Sequence, residues 1–485
     1  MTDWMAAAET LNLPQGRAGS GRRSLTSPID GEAFTEVADH DERDVDAAVS
    51  RARAAFEQGA WTGLTPTERK RVLLRWADLM ERDRERIGQM DTLAMGMPRA
   101  LSVNHGVQWF IDALRYYGEA IDKVQDEIAP TGDAVLAMVT REPVGVVGVV
   151  LPWNWPIGLA GWKLAPALAV GCSVVVKPDE TTPLSLLHAA ALGLEAGLPE
   201  GVLEVVLGGP RVGEALGRHG DVDVIAFTGS GEVGRSFQRY AGESNMKAVW
   251  LECGGKGPNI VFPDAPDIVA AAQASAFAIF LNSGQVCAAG SRLIVHHSIK
   301  DAVVEVLSGV AAALQPADPR VETTMMGTMS SARHLDRVAD YIGIARDQGG
   351  RIVTGGERAL VDTGGSYLQP TVIDGVSPDM RVAREEIFGP VLSVLTFDTV
   401  DEAVAIANGT AYGLAGGLWT SDLNTALNVS RRLRLGAVGV NSYGEDANST
   451  LVPFGGYRQS GYGRDKSLHA LDKYTQIKTT WIKLS

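Results

Sequence analysis

From residue 144 onward the chain alternates short, unbroken runs of β-branched residues with helix-length segments, and this alternation narrows the choice of fold more than any other feature. VGVVGVV (144–150), GCSVVVKP (171–178), VLEVVL (202–207), VDVIAFT (222–228) and KAVWLE (247–252) read as strands. Runs without a polar face are what strands buried on both sides of a parallel sheet require. Pro183 to Gly197 and VGRSFQRYA (233–241) read as helices between them, with Gly197 as a stop signal. Parallel strands need long crossovers, so this order implies a doubly wound α/β sheet. A second set starts at PNIVF (258–262) and continues through a helical stretch, Ile268 to Leu281, to RLIVHH (292–297) and VLSVLTF (391–397). CGGKG (253–257) lies between the sets and suits a hinge or a close backbone approach. AVLAMVTRE (134–142) and YTQIKTTWI (474–482) alternate like half-exposed strands outside both sets, the kind that pairs across subunits.

Composition excludes several classes. A net charge of −14 argues against nucleic acid or an anionic membrane as a partner. The three cysteines, Cys172, Cys253 and Cys287, form neither a disulfide framework nor a metal-binding spacing, so a reducing, cytoplasmic setting is expected. The start shows no basic segment followed by an apolar one, so no signal peptide is expected. The longest nearly apolar stretch, Leu164 to Val176, is too short to span a bilayer.

Several short stretches have a composition suited to chemistry. FTGSGEVGR (227–235) places Gly229, Gly231 and Gly234 in a G-x-G-x-x-G pattern between a strand and a helix, where a helix N-terminus can face a pyrophosphate. That pattern expects an acidic ribose ligand about 20 positions later, near Glu252. Glu252 also ends an apolar strand beside Cys-Gly-Gly, where partial desolvation suits a general base. Spacing leaves both roles open. LNSGQVCAAGSR (281–292) surrounds Cys287 with small residues whose backbone N–H groups can stabilise an oxyanion, although a free cysteine is more often a small core residue. PWNWP (152–156) holds Asn154 between prolines that restrict the backbone. KPDETTP (177–183) puts Lys177 and Glu180 just past a strand end, where open α/β sheets bind ligands. EEIFGPV (385–391) is distinctive, but its spacing alone suggests no mechanism.

Taken together and in this order, these stretches and PFGGYRQSGYGRD (453–465) resemble the NAD(P)-dependent aldehyde dehydrogenase superfamily over nearly the whole chain. GESNMKAVWLE (242–252) and GRDKSLHALDKYTQIKTTWI look closest to the bacterial γ-glutamyl-γ-aminobutyraldehyde dehydrogenase group. The resemblance implies a Rossmann-like cofactor domain (1–124 and 144–253), an α/β catalytic domain (254–455) and a small β oligomerisation arm (125–143 and 468–485). It implies Cys287 as nucleophile, Glu252 as general base and Asn154 as oxyanion donor, with Lys163 also among the catalytic residues. It assigns Lys177 and Glu180 to a ribose, Gly229, Ser230 and Gly234 to the phosphate turn, Trp153 to the cofactor cleft, and Glu386 with Phe388 to the nicotinamide side. The implied cofactor is NAD rather than NADP, because a carboxylate at Glu180 repels a 2′-phosphate. The implied partners are a small aldehyde and further copies of the chain, as homodimer or homotetramer.

The sequence departs from that pattern in places. Gly257 stands where the family more often has Ser, and Cys253 where it has Leu or Ala. His105 and Gly106 stand where the aminoaldehyde group carries an acidic pair, which favours an aromatic tunnel of Trp109, Trp155, Trp162 and Phe454 for apolar aldehydes. Glu445 or Asp446 offers an alternative anionic end to that tunnel. A cysteine hydrolase is the competing reading, but none of the eight histidines sits in a recognisable partner motif. A non-catalytic relative would be expected to lack the nucleophile or the base, and both are present.

Overall fold

A computed structural model describes residues 16–444 and 449–484, so Glu445 and Asp446 lie outside the described residues. Among the described residues two large sheets and one three-stranded sheet carry most of the strands, and two further two-stranded sheets complete them. The first large sheet runs Gly461–Tyr462, Ala248–Glu252, Val224–Thr228, Val146–Val150, Ser173–Lys177, Leu203–Val205. Its last five strands are parallel, and Gly461–Tyr462 adds antiparallel to Ala248–Glu252. The order reverses between Val146–Val150 and Val224–Thr228, which opens a crevice at their carboxyl ends. The three central strands are buried throughout, in keeping with their unbroken apolar runs.

The second sheet runs Arg351–Thr354, Thr371–Asp374, Val391–Phe397, Arg292–His296, Pro258–Val261, Ala415–Trp419, Ala437–Val440. It is parallel except for the antiparallel edge strand Arg351–Thr354. The strands expected at 134–142 and 474–482 pair with each other, Val135–Pro143 against Thr475–Lys483, and Glu127–Ala129 completes a three-stranded antiparallel sheet. Thr475–Lys483 is an edge strand with Ile477 and Trp481 exposed.

Helix Pro156–Val170 follows the PWNWP turn and is buried along its whole length. A helix that is apolar all round belongs inside a core. Lys163 is the one lysine on this helix and is only 2% exposed.

The C-terminal segment is bound to the first sheet through backbone. Gly461 pairs with Glu252, and the Cys253 N–H donates to the Ser460 carbonyl at 2.9 Å. Gly461 has φ +106°, and a Cβ there would overlap the Leu251 carbonyl. Gly461→Ala should therefore lower stability by about 2 kcal/mol or more. Gly242→Ala, which meets nothing within 4 Å, should be nearly neutral. Equal thermal unfolding of the two variants would contradict this reading.

Candidate active site

The crevice of the first sheet continues into a cleft between the two large sheets. Its outer part, about 440 Å³, is lined by Val150 to Trp153, Lys177, Asp179, Glu180 and Phe227 to Ser230, among others. Its inner part, about 340 Å³, shares Pro152, Trp153 and Thr228 to Ser230 with the outer part. It adds Asn154, Glu252, Cys253, Gly254, Cys287, His334, Arg337, Glu386 and Phe388. The two halves form one continuous groove. A separate surface cleft of about 700 Å³ beside Asp374 is lined by no thiol, and its Lys300 is paired with Asp374.

Cys287 reaches the groove on an unusual loop. Asn282, Ser283 and Gly284 all have positive φ, and Gly284 packs against the Gly389 carbonyl so closely that a side chain there would overlap it. Gln285 pins this loop from inside the core. Its amide donates to the Asn282 and Thr328 carbonyls, both at 3.1 Å, and its Oε1 accepts from the Ser330 N–H at 2.8 Å. Asn154 is buried alongside. Its Nδ2 donates to the Gln285 carbonyl at 2.9 Å, and its own carbonyl accepts from Asn282 Nδ2 at 2.9 Å. An amide nitrogen carries two hydrogens, so Asn154 keeps a second donor beside Cys287.

Glu252 ends its strand inside the same groove, 5% exposed, and its Oε1 has no partner among the described residues. Burial above all, and then the Asp465 charge, push its carboxyl up to about 8, while Lys163, Lys473 and Arg464 pull it down. Burial, with Glu252 and Glu386 nearby, likewise holds the Cys287 thiol well above the usual range. The resting site therefore holds a neutral thiol beside a carboxyl that titrates near neutrality. Lys163 does not line the groove. It is buried behind Glu252, with Nζ 3.0 Å from Asp465 Oδ2.

Glu386 is held by the Gly255 N–H, which donates to Oε1 at 2.9 Å, and a side chain at Gly254 would occupy the same space. Burial raises Glu386 to about 7. Phe388 has φ +63°, a strained value for an aromatic residue, and packs edge-on against Trp153 with ring centroids 5.3 Å apart. His334 and Arg337, which the sequence did not single out, hold that turn. His334 Nε2 bonds the Phe388 carbonyl at 2.7 Å, and Arg337 donates to the carbonyls of Glu386 and Ile387.

The outer groove fits a dinucleotide. Lys177 and Glu180 form an ion pair of 3.6 Å at its mouth. Ser230 caps helix Gly231–Gly242, whose N-terminus opens onto the groove. Thr228 Oγ1 is buried there without a partner among the described residues. Gly229 lies on the groove, but Gly234 does not. Gly234 packs the helix onto Leu251 and Cys253, so its role is helix–strand contact rather than ligand contact.

Trp109, Trp155, Trp162 and Phe454 form a buried cluster against Val286, Cys287 and Ala288. Trp109 lies 4.5 Å from Trp155 and 5.4 Å from Trp162, and Trp162 lies 5.4 Å from Phe454. Gly106, on the π-helical turn Ser102–Val107, faces Trp155. Gly257 has a local cause. A side chain there would overlap the Tyr443 hydroxyl, which donates to the Ala288 carbonyl beside Cys287.

The profile of the aldehyde dehydrogenase family matches residues 17–480. The chain belongs to the aldehyde dehydrogenase family. It is 46% identical to the aminoacetaldehyde dehydrogenase of Pseudomonas aeruginosa over 100% of this chain and 98% of that one. It is 47% identical to the NADP/NAD-dependent aldehyde dehydrogenase PuuC of Escherichia coli over 94% of this chain and 91% of that one. Among solved structures, an indole-3-acetaldehyde dehydrogenase in complex with NAD+ superposes with a TM-score of 0.97 at 48% identity, covering 99% of both chains. A γ-glutamyl-γ-aminobutyraldehyde dehydrogenase from Burkholderia cenocepacia gives 0.97 at 50% identity, covering 100% of this chain and 99% of that one. The chain is thus an aldehyde dehydrogenase, an NAD(P)-dependent oxidoreductase with the fold expected from its sequence. Among the described residues no helix is long and apolar enough to cross a membrane, and no cluster of His, Cys, Asp and Glu is arranged to hold a metal.

In an aldehyde dehydrogenase with this geometry, the base form of Glu252 appears as pH rises through about 8. Hydrolysis of a Cys287 acyl adduct should therefore climb roughly tenfold per unit well below that pH and level off above it. A profile flat from roughly pH 6 to roughly pH 9 would contradict the raised carboxyl.

Proposed function

We propose that this chain oxidises apolar and aromatic aldehydes to carboxylic acids, with NAD as acceptor. The observation that carries the reading is that Cys287, Asn154, Glu252 and Glu386 share one groove, and that this groove runs on to Lys177 and Glu180. Glu252 takes the proton from Cys287, and the thiolate adds to the aldehyde carbon. The free N–H of Asn154 and the Cys287 backbone N–H receive the oxyanion, each contributing roughly 3 kcal/mol to lowering the barrier. The dinucleotide, when bound, supplies the two-electron acceptor that turns the thiohemiacetal into a thioester. Lys177 and Glu180 hold one ribose, Glu386 the other, and Trp153 and Phe388 wall the groove between them. Glu252 passes that first proton to solvent and then takes a proton from water, the resulting hydroxide attacks the thioester carbonyl, the Cys287 thiolate is expelled and takes the proton back from Glu252, and the acid leaves.

Two features support the substrate class. A buried aromatic cluster of Trp109, Trp155, Trp162 and Phe454 packs against Cys287, although none of the four lines the groove. Gly106 brings no charge to Trp155, and the His105–Gly106 turn lacks the acidic pair that would suit an ammonium group. The Glu180 carboxylate supports NAD over NADP, since it would face a 2′-phosphate.

The same reading keeps the division into a cofactor domain (1–124 and 144–253), a catalytic domain (254–455) and an arm (125–143 and 468–485), of which residues 1–15, 445–448 and 485 lie outside the described part. The arm joins subunits into a homodimer or homotetramer in the cytoplasm. Its exposed Ile477, Trp481 and Ile482, on an edge strand, support that assignment.

The test is a panel of aldehydes assayed by the absorbance of the reduced dinucleotide, with NAD+ and NADP+ side by side. Aromatic and long aliphatic aldehydes should exceed 4-aminobutyraldehyde in kcat/KM by about tenfold or more, an increment typical of one well-placed apolar contact. A preference for the aminoaldehyde, or for NADP+, would overturn the corresponding part of the proposal.

A further inference from the structure

Behind Glu252 lies a set of buried ions larger than one base requires. Asp465 is 2% exposed and is gripped from both sides. Lys163 Nζ approaches Oδ2 at 3.0 Å, and Lys473 Nζ makes a short contact with Oδ1. Lys163 is 2% exposed and Lys473 is 4% exposed. Ions removed from water persist only in balanced sets, because each unpaired one costs more than its neighbours return. Two lysines facing Asp465 alone would leave one positive charge over. The Glu252 carboxylate supplies negative charge on the same side once it ionises at about 8, and burial draws Lys473 down to about 8 as well, so the two groups titrate over one range.

Lys473 is fixed in this position. It ends the 3₁₀ turn Leu468–Lys473, just ahead of the arm strand Thr475–Lys483, and its carbonyl accepts from Trp250 Nε1 at 3.2 Å. Trp250 lies two residues before Glu252 on the same strand. Other elements bring further groups to the cluster. Arg464 and Asp465 come from the segment after Tyr462, Lys163 from helix Pro156–Val170, Cys287 from its loop, and Cys253 from the continuation of the strand. Tyr117 and Tyr474 face Asp465.

We propose that Lys473 is a positioning residue for the hydrolytic half of the reaction: with Lys163 it brings compensating positive charge to the buried Asp465 and Glu252, and so fixes the pH range in which Glu252 works as a base. This rests on Glu252 being the general base. Burial pushes Asp465 up, yet the two lysines outweigh it and hold that carboxyl below its usual value, so it stays ionised. Removing Lys473 leaves Lys163 and Arg464 to face Asp465 and Glu252, and the protonated form of Glu252 gains.

The test is the pH profile of cofactor-free hydrolysis of 4-nitrophenyl acetate. Lys473→Met should move the midpoint up by about one pH unit, and Lys473→Arg should keep it near wild type. Adding Asp465→Asn to Lys473→Met removes one carboxylate along with one cation, and should bring the midpoint back down. A merely structural lysine would not be rescued by deleting its partner. If Lys473→Met does not fold, Lys473→Gln is read in the same way, alone and with Asp465→Asn. An unmoved midpoint in the single variant, or a double variant displaced further upward, would overturn the proposal. Glu252→Gln separates the two layers: loss of hydrolysis keeps the base assignment and leaves Lys473 to be judged by its own profile. Wild-type hydrolysis in Glu252→Gln would sink the base assignment and this inference together.

Discussion

A carboxyl and a thiol are buried together in one groove, and in the proposed reaction the rest of the structure is arranged around that constraint. Burial disfavours the charged form of each group, which leaves Cys287 as a thiol and raises Glu252 to about 8. The same burial makes the carboxylate a competent base near neutral pH. A buried carboxylate needs compensating charge, and Lys163 and Lys473 supply it through Asp465. The geometry therefore joins three distant parts of the chain: the end of a strand, the middle of a buried helix and the C-terminal segment.

The reacting groups are positioned chiefly by backbone. Gly461 brings the C-terminal segment onto the Glu252 strand, and the Gly254–Gly255 step leaves room for the Glu386 carboxylate. The Cys287 loop is preceded by three residues with positive φ, held by Gln285 and Asn154. Phe388 is held at φ +63° by its contacts with His334 and Arg337's grip on the neighbouring carbonyls. Strain of this kind persists where surrounding contacts over-determine it, and such places are commonly functional.

The strands were legible because their apolar runs are continuous. The run 391–397 matches the observed Val391–Phe397 at both ends, and 144–150 differs from Val146–Val150 only at its start. Gly461–Tyr462 was not foreseen, because two residues carry no periodicity and the strand exists only through its pairing with Ala248–Glu252. The helices of the first hundred residues and the hairpin of Gly21–Thr26 with Ala33–Asp39 likewise carry no continuous apolar run. For the site, spacing left Glu252 between a ribose and a base, and the resemblance of the whole motif set pointed to the base. The structure places Glu252 in the same groove as Cys287. Lys473, His334 and Arg337 were invisible, since each acts through tertiary contacts that no local pattern announces.

The account turns on a division of labour, with Cys287 carrying the acyl group and Glu252 needed to release it. Mass spectrometry of the Glu252→Gln variant, after incubation with an aromatic aldehyde and NAD+, tests this directly. The account predicts an acyl adduct that accumulates on the peptide containing Cys287. An unmodified Cys287 with full turnover, or an adduct on Cys172 or Cys253 instead, would contradict it.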